Sequence, residues 1–421
     1  MSATGFHAHV IGAGLAGLSA ALHLAENGEN RVTLYEATAH AGGLCRSFYD
    51  SRLDRLIDNG NHLILSGNQA VLDHVERIGA TDRLEIGTPE FPFLDLADGA
   101  SWTLNVPGTP LGSLGRGARP PGTSLVEFAG LLRLLAAGPE RTVAEAVRGR
   151  GPLWRTFWEP LTIAVLNAPP EAASARLMRT MLARSFLRGA EACRPVLARE
   201  GLGPALIDPA VAHLETLGAS LHFRRPLAAL ERGDDAASAL VFQDGARLPL
   251  TSGDRVVLAV PPRTLSTLLP DVPVPAPGLV ILNAHYRVDP ALAYRMPPLL
   301  GLLGGAAQWV FRRGDVLSAT VSAAETTPLD TMDTTAVLDR IWSDIARATG
   351  LPKEQPQAAR LLKVRQATFD QSPASSLRRP PVQSPLANVV LAGAHVDNGL
   401  PCTLESAAAS GAAAAALLTG P

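Results

Sequence analysis

At 421 residues the chain exceeds what one simple core holds, which predicts two lobes or one domain with a large insertion. A net charge of -2 and a pI near 6.6 exclude the broad basic footprint of a nucleic-acid binder, so no nucleic-acid partner is expected. The 3 cysteines, Cys45, Cys193 and Cys402, are widely spaced and include no CxxC pair; no metal is expected, and the spacing fits a reducing cytoplasm.

The first apolar stretch lacks the basic region that opens a signal peptide. No apolar run reaches the roughly 20 residues needed to span a bilayer. A soluble cytoplasmic protein is expected, or one bound peripherally on the inner face of the cytoplasmic membrane. Aromatic residues make up only 5% of the chain, which predicts an aliphatic interior or pocket.

The segment AHVIGAGLAGLSAALHLAENGENRVTLYEA reads as strand (8–11), glycine turn, helix (15–26) and second strand. Gly12, Gly14 and Gly17 form GxGxxG. Gly12 permits the turn, Gly14 lets the backbone approach a pyrophosphate, and Gly17 brings helix close to strand. The helix start at Leu15 and Ala16 offers free N–H groups to that anion. Glu36 ends the second strand, where an acid accepts hydrogen bonds from an adenosine ribose and disfavours the 2'-phosphate of NADP. Strand, turn, helix and acid agree, so a dinucleotide site is predicted.

Gly42, Gly43 and Arg46 follow Glu36, and with the preceding motif they resemble the two-dinucleotide-binding-domain flavoproteins, the family of amine oxidases and isoprenoid desaturases. The resemblance implies an FAD cradle: paired glycines admit phosphate or ribityl, and the arginine neutralises phosphate charge. It also implies that the run Asn59, Gly60, Asn61, His62 passes beside the isoalloxazine ring. His62 reads either as a proton donor that orients substrate or as a hydrogen-bonded core histidine.

Residues 107–123, rich in glycine and proline, predict a loop. After it, 125–138 is apolar nearly all round and predicts a buried helix of the second lobe, with a helix at a bilayer or lipid entrance as the alternative. In 153–175, Trp154, Trp158 and Leu161 share a helical face, and Asn167 with Pro169 and Pro170 ends the helix.

At this point the chain resembles a narrower family, the squalene-associated FAD-dependent desaturases, which are hydroxysqualene dehydroxylases of bacterial hopanoid synthesis. The resemblance rests on Asp58–His62, Trp158-Glu159-Pro160, Leu166-Asn167-x-Pro169-Pro170, Asn283-x-His285, and Gly399-Leu400-Pro401 with Thr403 and Glu405. It spans essentially the whole chain. The fold implied is α/β: a Rossmann-type FAD domain interleaved with an α+β substrate domain. The FAD domain is expected over 1–75, 200–270 and 386–421, and the substrate domain over 76–199 and 271–385.

Beyond these motifs, 201–231 reads as helix, glycine turn and strand, and by resemblance the Leu227 backbone meets the adenine. A buried strand ending in a proline loop is predicted over 254–262, and further strands at 278–288, within 306–322, at 361–369 and at 388–392, with a helix over 338–349. Near the C-terminus, Gly393-Ala394 stands where related flavoproteins carry Gly-Asp, so the acid that holds a ribityl hydroxyl is missing. Flavin contact is then expected from the backbone and from helix N–H groups near Thr403 and Leu404, with His395, Asp397 or Asn398 lining the pocket. Cys402 reads as a small buried residue rather than a covalent flavin link.

The resemblance implies reduction of hydroxysqualene to squalene, with Trp154, Trp158 and Asn167 near a hydrophobic triterpenoid. His62 is the first candidate acid, His285 the second and Asp397 the third. No second glycine-rich nucleotide loop is found, so electrons are expected from an external donor or reductase. The alternatives are an oxidative isoprenoid desaturase, an amine oxidase, disfavoured by having only Lys353 and Lys363 as lysines, and a non-catalytic prenyl-lipid carrier.

Overall fold

The computed structural model describes residues 5–420 except 110–111, 113–114, 116–118 and 353–355; part of the predicted 107–123 loop, and Lys353, lie outside the described residues. A 5-stranded parallel sheet runs in the order Ser220–His222, Arg31–Tyr35, His7–Ile11, Asp254–Leu258, Val389–Leu391. Its strands are short, apolar and partly β-branched, as a sheet covered on both faces requires. Gly12 and Glu36 directly follow two of these strands, so both stand at the carboxyl edge where open α/β sheets bind ligands.

The alanine-rich C-terminal helix (Leu404–Thr419) packs on the first helix (Leu15–Ala25), and small residues let the two backbones meet. A Cβ at Gly411 would lie 2.2 Å from the Ala16 carbonyl oxygen, and Ser19 donates to the Ala408 carbonyl at 2.9 Å. That contact seats the start of the last helix beside the glycine turn.

A mixed 7-stranded sheet runs Ala358–Val364, Ile281–Arg287, Val316–Val321, Trp309–Arg313, Leu299–Leu303, Glu90–Asp95, Ser101–Asn105. Only the pairing of Leu299–Leu303 with Glu90–Asp95 is parallel. The strand expected over 361–369 sits earlier, at Ala358–Val364, in register with Ile281–Arg287, and Phe369 instead bridges Pro277. Helix Thr334–Thr349 buries Val337, Ile341, Trp342 and Ile345 against this sheet.

The apolar segment after the loop is not buried. It forms a 3-10 turn (Leu125–Phe128) and a short helix (Ala129–Leu135), with Leu125, Val126 and Leu132 exposed by 56%, 80% and 69%. Gly130 and Leu134 of the helix are buried and Leu131 packs partly beside them, with Gly130 so close to Val147 that a Cβ would stand 2.8 Å from its side chain. No helix among the described residues is long and apolar enough to cross a membrane.

Candidate active site

The nucleotide cradle is built from close approaches that exclude side chains. Gly12 has φ +105, and a Cβ there would lie 2.3 Å from the Ala259 carbonyl; one at Gly17 would lie 1.9 Å from the Gly12 carbonyl. Gly14 differs, since no protein atom stands within 4 Å of its would-be Cβ. That open space faces the uncapped start of the first helix, at Leu15 and Ala16. Such a cradle fits a pyrophosphate. Gly42 and Gly43 also have positive φ, +109 and +53, and Gly42 bridges Gly14.

Glu36 accepts the Ala13 N–H at 2.9 Å and the Thr38 N–H and hydroxyl at 2.8 Å, which fixes the carboxylate at the strand edge. The Arg225 N–H donates to the Glu36 carbonyl at 2.8 Å, so the turn into strand Leu227–Arg232 adjoins the acid. Leu227 itself is buried. The Arg46 carbonyl accepts the Asn59 N–H at 2.9 Å, which joins Arg46 to the run that ends in His62.

That run is held from behind. Buried Asp58 pairs with Arg313 at 2.5 Å, accepts the Leu202 N–H at 3.0 Å and accepts the Ser47 hydroxyl. The Asn61 N–H donates to Asn283 Oδ1 at 3.3 Å and its side-chain amide to Thr320 Oγ1 at 3.0 Å, while Thr320 donates to Asn283 Oδ1 at 3.2 Å. The loop is thereby pinned to the 7-stranded sheet.

A cavity of about 270 Å³ opens against one face of the 7-stranded sheet. Asn59, Gly60, Asn61 and His62 form one wall, and Cys402, Thr403, Leu404 and Glu405 another. The far wall carries Phe91, Phe93, Phe157, Phe186, Trp309 and Phe311. Leu63, Leu65, Leu104, Leu161, Val165 and Ile281 line it as well, so the aliphatic lining expected from composition is joined by a group of aromatic rings.

The expected pocket residues divide. His62 and Asn167 line the cavity; Trp154, Trp158, His285, His395, Asp397 and Asn398 do not. Trp154 and Trp158 pack on the opposite side of their helical turn, where Arg150 stands 4.0 Å over the Trp154 ring and Phe157 takes the cavity side. A π-helical turn over Trp154–Trp158 shifts the face by one residue, which a regular helical period does not anticipate.

His285 is buried between strands and its Nδ1 pairs with the Ser318 hydroxyl at 2.7 Å. Burial pushes its pKa down to about 4. Burial also lowers His62, with Asp58 opposing. Asp397 stands at the loop surface, 3.5 Å from both Arg176 and Arg379. Of the three acid candidates, only His62 reaches the cavity.

Asn167 explains the Leu-Asn-x-Pro-Pro run. It ends helix Glu159–Leu166 in the left-handed conformation, φ 49, as a C-cap. Its side chain accepts the Ala323 N–H at 2.6 Å and donates to the Leu279 carbonyl at 2.5 Å and Thr368 Oγ1 at 3.1 Å. It ties together four chain segments at the cavity rim.

Two residues that organise the C-terminal wall escaped sequence reasoning. Arg379, with a fully buried side chain, donates to the carbonyls of Ala394, Val396 and Leu400 at 3.0, 2.6 and 2.8 Å, to that of His395 at 3.4 Å, and to Asn398 Oδ1 at 3.3 Å. Gln371 accepts the Cys402 N–H at 2.8 Å and donates to the Leu166 carbonyl at 2.9 Å. The surviving signal was slight: a charged residue followed by Pro380-Pro381, beside no visible partner. The Asn398 side chain joins this knot rather than the cavity. The His395 ring packs so close to Gly393 that a Cβ there would lie 2.5 Å away. Glu405, buried, accepts the Ala70 and Val71 N–H groups at 3.2 and 3.1 Å, and burial raises its pKa.

The chain matches the family described as flavin containing amine oxidoreductase over residues 15–419. It is 38% identical over 412 residues to a hydroxysqualene dehydroxylase of Sinorhizobium fredii, covering 97% of each chain. It is 38% identical over 414 residues to one of Rhodopseudomonas palustris, again covering 97% of each. Its fold is similar to that of cyclohexylamine oxidase from Brevibacterium oxydans, with a TM-score of 0.74, 14% identity and 98% coverage of both chains. This chain is a flavin-dependent oxidoreductase of the flavin containing amine oxidoreductase family, and within that family it belongs to the hydroxysqualene dehydroxylases.

Proposed function

We propose that the protein binds FAD and reduces hydroxysqualene to squalene. The observation that carries the reading is the aromatic-walled cavity, bounded by His62 on one side and by the start of the C-terminal helix on another. An extended apolar substrate suits such walls, and an alcohol is the one polar group it needs to place.

In this reading Gly12, Gly14, Gly17, Leu15 and Ala16 hold the pyrophosphate, and Glu36 the adenosine ribose. The Leu227 backbone meets the adenine. Gly42, Gly43 and Arg46 flank phosphate or ribityl; Asn59, Gly60, Asn61, Gly393, Ala394, Thr403 and Leu404 surround the ring end. FAD, once reduced and bound, supplies the hydride.

His62, which burial favours as the neutral imidazole, takes up a proton with Asp58 favouring the charged form and delivers it to the allylic hydroxyl; the C–O bond breaks, and water leaves with the former hydroxyl oxygen. Hydride then adds to the allylic carbon, so one proton and one hydride convert the alcohol to a hydrocarbon and water. Phe157, Trp309 and Phe311 present π faces to the cationic carbon skeleton and exclude water from it. Trp154 and Trp158 support the helix that carries Phe157. Asn167 braces the rim, and His285 and Asp397 keep structural places.

An external donor or reductase resupplies electrons. The exposed Leu125, Val126 and Leu132, beside Arg133 and Arg148, suit peripheral contact with an anionic cytoplasmic membrane surface, from which a triterpenoid is drawn. Oxidative desaturation of an isoprenoid is the competing reading, because the same cavity serves either direction of hydride transfer. The test is incubation of purified protein with hydroxysqualene under reduced and under oxidised FAD. Squalene is expected only with reduced FAD. Absence of squalene in both overturns the proposal, and a product with an added double bond favours the desaturase. His62→Gln with full flavin content and unchanged turnover would remove His62 as the acid.

A further inference from the structure

At the opposite edge of the parallel sheet from the nucleotide cradle, His7, His9 and Asp254 converge. His7 and His9 share a face of the first strand, and their rings lie 4.0 Å apart. Asp254 opens the neighbouring strand in register with His7. One potential ligand atom from each residue lies within 4.8 Å of the others. His7 Nδ1 is 3.5 Å and His9 Nε2 is 3.1 Å from the same carboxylate oxygen, Asp254 Oδ1.

Those spacings are informative. Ligand atoms each about 2.0–2.2 Å from a tetrahedral zinc ion stand roughly 3.4 Å from one another. The atoms not aimed inward are also occupied. His7 Nε2 pairs with Thr33 Oγ1 at 2.8 Å, and His9 Nδ1 lies 3.4 Å from the Tyr35 hydroxyl. Asp254 Oδ2 accepts the Thr251 N–H at 2.6 Å and its hydroxyl at 2.7 Å, leaving Oδ1 free to face the imidazoles. Outer partners of this kind orient metal ligands.

We infer that His7 Nδ1, His9 Nε2 and Asp254 Oδ1 form a site for a divalent transition metal, zinc or a similar ion, that staples the first strand to its neighbour. His9 and Asp254 are buried while His7 is partly exposed, so the site is sealed below and open to water for a fourth ligand. Arg31, across the sheet from His7, opposes a cation, and Asp254 offsets it. Cysteine spacing carries no trace of this set, because its ligands are split between residues 7–9 and 254.

The test is calorimetric titration of the flavin-loaded, tag-free protein with zinc chloride, read beside the flavin absorption spectrum and the thermal midpoint. One equivalent is expected to bind, raise the midpoint and leave the flavin spectrum unchanged. His7→Ala and Asp254→Asn are each expected to weaken binding by more than about tenfold, and Thr33→Val by a smaller factor. Zinc-edge anomalous density between the three side chains supports the site even if Asp254→Asn fails to fold. No saturable binding, or full wild-type affinity in His7→Ala, overturns it.

Discussion

The two segments proposed to hold the flavin are built on different principles. The N-terminal wall, from Gly12 to Arg46, is made of absences: glycines where a Cβ would strike a backbone carbonyl, and an uncapped helix start. The C-terminal wall, from Gly393 to Glu405, is made of a presence, the buried Arg379 guanidinium that gathers the loop's carbonyls. Where related flavoproteins place an acid, this loop has Ala394, and its carbonyl is one of those that Arg379 holds. A wall of absences leaves a sequence motif, whereas a wall held by one distant side chain does not.

The comparison breaks most visibly at Arg379. Arg379→Leu strands several buried carbonyls, so urea unfolding is expected to show a loss of about 3–5 kcal/mol, together with poor flavin retention. Arg379→Lys is expected to recover only part of this, since a compact ammonium cannot span the same acceptors. Unchanged stability in Arg379→Leu would mean that the loop holds itself.

On the other wall, Gly17→Ala and Gly14→Ala separate packing from ligand approach. A Cβ at Gly17 meets the Gly12 carbonyl, and the apoprotein is expected to lose about 1–3 kcal/mol or more. A Cβ at Gly14 meets no protein atom, so apoprotein stability is expected to stay while flavin affinity falls. Denaturation of the apoprotein and flavin titration read the two effects independently.

The third prediction concerns acid. His285 and His395 have pKa values near 4 in the fold, lowered by burial and, for His395, next by Arg379. Below their ordinary value near 6.5, the unfolded chain binds protons that the fold does not. Their stabilising effect is therefore complete above about pH 6.5 and is lost as pH falls toward 4. His395→Asn is expected to make the stability–pH slope shallower by up to about one proton in that window, measured by denaturation at stepped pH. An identical slope would contradict the buried neutral form.

The smallest effect is expected at Ala394→Asp. Restoring a carboxylate adds one hydrogen bond to the ribityl chain, about 1 kcal/mol, so flavin is expected to bind roughly fivefold more tightly. Weaker binding would show that this loop has diverged too far to accept the acid.

The first strand, glycine turn, helix and Glu36 were legible because each has a local cause written in adjacent residues. Most strands of the second sheet were legible from their apolar runs, although Ala358–Val364 lay earlier than expected because its pairing partner sets its register. His62 was legible as a candidate, and Asn167 as a motif whose left-handed cap only the fold explains. The faces of Trp154 and Trp158 were misread, because a π-helical turn rotates Phe157 into the cavity. The burial expected over 125–138 holds only on one side: Leu134 is buried and Leu131 packs partly beside it, while Leu125, Val126 and Leu132 stay outside. Arg379, Gln371 and the His7–His9–Asp254 cluster were invisible, since each unites segments far apart in the chain.

The central claim, hydride transfer to a substrate that has lost its hydroxyl, is tested most directly by anaerobic single turnover. Photoreduced holoprotein is mixed with hydroxysqualene, and flavin reoxidation at its visible absorption band is compared with squalene formed. The account predicts one squalene per flavin reoxidised and no reaction from oxidised flavin. Squalene formed without flavin reoxidation, or flavin reduced by the substrate instead, would contradict it.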